Sequence, residues 1–90
     1  PTGAMAGPAM LAAIAAIARA HDLVIISDEV WEEVITGDAR HVSPLTLAPE
    51  RTIKIGSAGK LLALTGWKVG WVVAEAALAE KVAQVHQFLT

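Results

Sequence analysis

The sequence predicts an α/β fold with a mostly parallel sheet flanked by helices, and three observations predict it. Leu23-Val24-Ile25-Ile26 is a continuous, β-branched apolar run bounded by polar residues, which suits a strand buried on both faces of a parallel sheet. Apolar residues recur at three- and four-residue steps near both ends of the chain, the period of a helix. Between these lie two further strand-like runs, so helices and strands alternate along the chain.

In order, Gly7-Pro8 is a turn signal, and Pro8 suits a first helical turn, where a missing N–H costs nothing. Residues 9–20 then read as helix, with Met10 or Leu11, Ile14 and Ile17 on one face and alanines between them for close packing. Leu23 to Ile26 forms the first strand, closed by Ser27-Asp28-Glu29. Glu29 to Ile35 reads as a short helix, and Thr36 to Pro49, with Gly37, Pro44 and Pro49, as loop. Arg51 to Ile55 alternates polar and apolar and is the second strand; Val69 to Ala74 is the third. Residues 75–90 close the chain as a helix whose Leu78, Val82, Val85 and Leu89 repeat on one face.

Composition narrows the function classes. In 90 residues, 54% are hydrophobic and 18% charged, more apolar side chain than so small a domain can hide, so the chain is expected to be a piece of something larger; a start at Pro1 and a stop at Thr90 inside a helical pattern lead to the expectation that it is truncated at both ends. The formal net charge of −2 and the scattered lysines and arginines offer no nucleic-acid footprint. The absence of cysteine excludes disulfides and thiol catalysis and leaves the cytosol as the default compartment. Ala9 to Ala18 is too short to span a bilayer, and no basic residue precedes it as a signal peptide requires.

Two charged residues stand at strand ends: Asp28 after the first strand and Lys60 in Gly56-Ser57-Ala58-Gly59-Lys60 after the second. In open α/β sheets, ligands bind at such ends. A pyridoxal phosphate site needs both groups, a lysine amine for a Schiff base with the cofactor aldehyde and a carboxylate against the pyridine nitrogen. Ser57, in a glycine-containing loop, and Lys68 are candidates to anchor its phosphate. Plainer readings stand beside these. Asp28-Glu29 would serve as a helix cap, Glu29, Glu32 and Glu33 as a solvated helix face, and Trp31, Trp67 and Trp71 as packing residues. His21, His41 and His86 have no metal-ligand spacing, and no metal is expected. A nucleotide-hydrolysing reading of the strand ending in Asp28-Glu29 fails, because Lys54 and Leu61 stand where a P-loop needs glycine and Ser or Thr.

Pro1-Thr2-Gly3, Ile26-Ser27-Asp28-Glu29-Val30, Gly56-Ser57-Ala58-Gly59-Lys60 and Thr65-Gly66-Trp67-Lys68-Val69-Gly70-Trp71 together resemble the fold-type I, class I/II pyridoxal-phosphate aminotransferases. The resemblance covers essentially the whole chain, as the central part of the cofactor-binding large domain. Gly56-Ser57-Ala58-Gly59-Lys60 with Gly66-Trp67-Lys68-Val69-Gly70-Trp71 resembles the branch that contains the kynurenine, glutamine and methionine aminotransferases and the cysteine-S-conjugate β-lyases, rather than the aspartate branch. It implies amino-group exchange between an amino acid and a 2-oxo acid in a homodimer, with a β-lyase or a cofactor-binding sensor domain of a transcriptional regulator as alternatives. Carried over residue by residue, Lys60 would bear the Schiff base and move the α-proton, Asp28 would hold the pyridinium, and Ser57 and Lys68 would bind the phosphate. Trp31 stands where the family usually has a tyrosine whose hydroxyl bonds the cofactor's ring oxygen; an indole donates through nitrogen instead. The resemblance also implies that the arginine for the substrate carboxylate and the second subunit's contributions are absent from these residues, leaving them inactive alone.

Overall fold

The computed structural model describes residues 3–33, 37, 38 and 40–89. Three strands, β1 (Ile25–Asp28), β2 (Thr52–Ser57) and β3 (Gly70–Val73), form one sheet in that order. β1 and β2 run parallel, with Asp28 beside Ile55, and β3 returns antiparallel, with Gly70 beside Ser57. The helices are α1 (Pro8–Ala20), α2 (Pro44–Leu47), α3 (Ala58–Leu61) and α4 (Ala76–Leu89), and short 3₁₀ turns cover Pro49–Arg51 and Thr65–Trp67. The α/β class expected from sequence holds, with a mixed sheet.

α1 begins at Pro8, as its lack of an N–H allows, and buries Leu11, Ala15 and Ala18. It ends in a Schellman-type turn: Asp22 takes a left-handed conformation (φ 52°), and the Leu23 N–H reaches back to the Ala18 carbonyl at 2.8 Å. This turn corrects the expected first strand. Leu23 and Val24 are used in leaving the helix, so β1 starts at Ile25 and carries through Ser27 and Asp28. Nor is β1 buried on both faces. It is the edge of the sheet, and Ile26 is 68% exposed.

The expected loop from Thr36 to Pro49 contains α2. Ser43 caps it, its Oγ accepting the Leu45 N–H at 3.2 Å, and Pro44 fills the first turn. α2 packs against α1, β1 and β2. It is tied to β2 by fully buried Thr52, whose hydroxyl donates to the Ala48 carbonyl at 2.7 Å. The expected helix from Glu29 to Ile35 is a turn over residues 30–33; Val34, Ile35 and Thr36 lie outside the described residues, as do Pro1, Thr2 and Thr90.

The start of the parallel pair is held by ions. Arg19 Nε donates to Glu50 Oε1 at 2.7 Å, which holds the Glu50 carboxyl down at about 2 and raises the Arg19 guanidinium. Arg51 Nη1 donates to the carbonyls of Leu23 at 2.8 Å and Ala18 at 3.2 Å, and lies 3.4 Å from Asp22 Oδ1.

β2 and β3 meet closely at Gly56, opposite Trp71. A Cβ on Gly56 would lie 2.3 Å from the indole Nε1, so the ring occupies the space a side chain would take. α4 has the expected helical period but buries no residue; Leu78 and Val82 are half-buried, and Val85 and Leu89 are exposed. No helix among the described residues is long and apolar enough to cross a membrane.

Candidate functional site

Both parallel strands deliver their C-terminal ends to one edge of the sheet, and the sequence-predicted residues stand there. Asp28 is the last residue of β1. It is exposed, and its Oδ1 accepts the Val30 N–H at 3.3 Å, a local turn contact. The carboxylate therefore does cap the next turn, weakly, while its remaining acceptor capacity stays open.

β2 ends at Ser57 and passes directly into α3, a single turn that carries Lys60 on its exposed side. Buried Gly59 makes the tight fold-back possible. A Cβ there would lie 3.1 Å from Thr65 Cα and 3.3 Å from Ser57 Oγ, and Thr65 Oγ1 donates to the Gly59 carbonyl at 3.1 Å. Ser57 has the extended backbone of an N-cap, yet its hydroxyl makes no cap bond. Lys68 lies two residues before Gly70, the partner of Ser57, and holds a left-handed conformation (φ 55°) at the end of the 3₁₀ turn. The Ala58 N–H bonds the Val69 carbonyl at 3.0 Å, which keeps this return segment beside the start of α3.

The two halves of the site touch through Trp31. Lys60 Nζ lies 5.1 Å from the centroid of the Trp31 ring, in cation–π range. Trp31 is 57% exposed, so it is not the core residue that a plain reading of tryptophan expects. Among the described residues, no carboxylate pairs with Lys60 or Lys68 and no cation pairs with Asp28.

Behind this edge lies a cluster that the sequence reading did not find. Glu29, expected on a solvated face, is buried at 6% exposure. Its Oε1 lies 2.6 Å from His41 Nε2, and its Oε2 accepts the Ser43 hydroxyl at 2.7 Å. Glu32, also expected to be solvated, pairs with Lys54 of β2 at 2.5 Å. Spacing gave no hint of His41 because it joins Glu29 across twelve residues of chain. The available signal was the Ser43-Pro44 pair, which marks a helix start and hence a fixed point near His41.

A family model, aminotransferase class I and II, matches residues 1–90. The chain belongs to the class I and II aminotransferases. Among aminotransferase relatives, it is 46% identical to the probable N-succinyldiaminopimelate aminotransferase DapC of Mycobacterium tuberculosis, with all of this chain aligned to 23% of that protein. It is 38% identical to human kynurenine–oxoglutarate transaminase 1, with 97% of the chain aligned to 21% of the relative. The solved N-succinyldiaminopimelate aminotransferase from M. tuberculosis superposes with a TM-score of 0.96 at 44% identity, over all of this chain and 24% of that one. The chain thus spans roughly a quarter of the length of the aminotransferases it matches, whose names give different substrates.

The class I and II aminotransferases are pyridoxal-phosphate enzymes. The groups at this edge fit that cofactor chemically: two lysine side chains that pair with no carboxylate among the described residues, a hydroxyl that makes no cap bond, and a carboxylate with open acceptor positions. A cofactor with an aldehyde, a basic ring nitrogen and a phosphate calls for those four groups.

Proposed function

We propose that these residues are the central part of the cofactor-binding large domain of an aminotransferase, a cytosolic homodimer that moves an amino group between an amino acid and a 2-oxo acid. The 90 residues are inactive alone on this reading. The observation that carries it is the parallel β1–β2 pair, which brings Asp28 and the Lys60 turn to one edge in a chain matching the family over its full length.

When bound, pyridoxal phosphate supplies an aldehyde that condenses with amines and a ring that delocalises charge from the substrate α-carbon. The chain's residues do the rest. Lys60 would hold the cofactor through its amine and, when that amine is free and neutral, would serve as the base that takes the proton from the substrate α-carbon, keeping it as the lysine ammonium. Asp28 would keep the proton on the ring nitrogen by offering it a carboxylate. Ser57 would donate its hydroxyl to the phosphate, and Lys68 would contribute a point charge. Trp31 would give the Lys60 side chain, when it carries the proton, a face to rest on, a contact worth about 0.5–1 kcal/mol at an exposed site.

Borohydride treatment of the loaded parent protein, followed by peptide mass spectrometry, tests the assignment. Covalent cofactor at Lys60 is the expected result. Label at another lysine, or wild-type turnover in Lys60→Ala, overturns it.

A further inference from the structure

We propose, resting on the aminotransferase reading, that Glu29 is a positioning residue: held by His41 and Ser43, it fixes the orientation in which Asp28 presents its carboxylate to the cofactor ring. The argument starts from alternation. Successive side chains of a strand point to opposite faces, and the Glu29 N–H extends the parallel ladder past β1 by bonding the Ile55 carbonyl at 2.9 Å. Asp28 accordingly faces outward and is exposed, while Glu29 turns the other way and is buried.

Asp28 has little holding it directly. Among the described residues its one carboxylate hydrogen bond is from the Val30 N–H at 3.3 Å, so its aim is set by the backbone that carries it. Glu29 anchors that backbone. Both of its carboxylate oxygens are engaged, by His41 Nε2 and by Ser43 Oγ. Ser43 in turn caps α2, and Ala48, at the far end of α2, accepts the hydroxyl of buried Thr52. A line of hydrogen bonds therefore runs from the residue beside Asp28, through α2, to the strand that leads into Lys60. The turn beyond is fixed as well, by the Glu32 N–H on the Glu29 carbonyl at 3.1 Å and by Glu32 on Lys54. A carboxylate taken out of water is costly unless it is paired and hydrogen-bonded, and here the pairing references Asp28 and Lys60 to the same scaffold.

The test uses the full-length parent protein in its cofactor-free form, titrated with pyridoxal 5′-phosphate while the dissociation constant, the position of the visible absorption band and Tm are recorded. Glu29→Ala and His41→Ala are each expected to raise the dissociation constant about 10-fold or more, the size seen when an outer partner that orients a site residue is lost, and to move the band. Glu29→Gln keeps a hydrogen-bonding side chain of the same length and should restore most of the affinity. The Glu29→Ala/His41→Ala double variant should be little worse than either single one, because both remove the same link. A fall in Tm with dissociation constant and band unchanged would overturn the positioning role. If Glu29→Ala fails to fold, His41→Ala carries the same reading, and a wild-type dissociation constant and band there would overturn it equally. A wild-type protein that takes up no pyridoxal phosphate would instead sink the aminotransferase reading itself, an outcome told apart by being visible before any substitution is made.

Discussion

The two ends of the parallel pair β1–β2 use charge in opposite ways. At the start of the strands, Arg19, Glu50, Arg51 and Asp22 are all partnered, and the arginines also bond the carbonyls of Leu47, Ala18 and Leu23. At the finish, Asp28, Lys60 and Lys68 have no opposite charge among the described residues. The difference teaches where the fold is fastened and where it is left open. Charges that close on one another hold α1 and the first turn of each strand in place, whereas charges left facing water add little to stability and stay available to a ligand.

Substitutions at the two ends should separate these roles. The largest effect is expected at the open end: Lys60→Ala in the parent protein should lower turnover by about 10²–10⁴-fold or more in a transamination assay. Its Tm should stay close to wild type, since the side chain is exposed and, among the described residues, has the Trp31 ring contact in place of an ion pair. At the fastened end the pattern should reverse. Arg51→Ala takes the guanidinium donor from the Leu23 carbonyl and leaves the Ala18 carbonyl with the Leu23 N–H alone, and should cost about 1–3 kcal/mol in urea unfolding, with turnover per folded molecule little changed.

A smaller effect with two signs is expected at Lys68. Lys68→Gly relieves a left-handed conformation that disfavours side chains but adds glycine's entropy, so stability should rise by about 0–1 kcal/mol. Affinity for pyridoxal phosphate should nevertheless fall, measured by titration of the cofactor-free protein, because the phosphate loses a charge.

The smallest effect belongs to Glu50. Its folded carboxyl titrates at about 2 instead of the ordinary 4.5, so its bond with Arg19 stabilises fully above 4.5 and is lost as pH falls toward 2. The Tm advantage of wild type over Glu50→Gln should therefore be present at pH 7, narrow below pH 4.5 and shrink with added salt, since the pair is exposed. An advantage that persisted at pH 2 would contradict the ion-pair account.

Much of this was legible in the sequence because it depends on local pattern. Pro8 and the alanine-rich period gave α1 nearly to the residue, and the alternation in Arg51 to Ile55 gave β2. The motif residues Asp28 and Lys60 sat at strand ends as read. What escaped depends on partners distant in sequence. The apolar run at Leu23 looked like strand throughout, but the αL turn at Asp22 takes its first two residues. Glu29 looked solvated because nothing near it in sequence offers a partner, and its partners, His41 and Ser43, arrive only through the placement of α2. The apolar period of α4 was read correctly, yet periodicity says which face would be covered, not what covers it.

The meeting of Gly56 and Trp71 bears on how the two residues proposed to bind phosphate keep their spacing. Ser57 and Lys68 come from chain segments that run in opposite directions, so their separation depends on alignment of β3 along β2. A slide by one residue would bring Ile55 or Ser57, each bearing a side chain, under an indole that fits only over glycine. The bare position thus works as an index mark, letting two strands click together at a single offset and carrying that offset outward to the hydroxyl and the ammonium beyond.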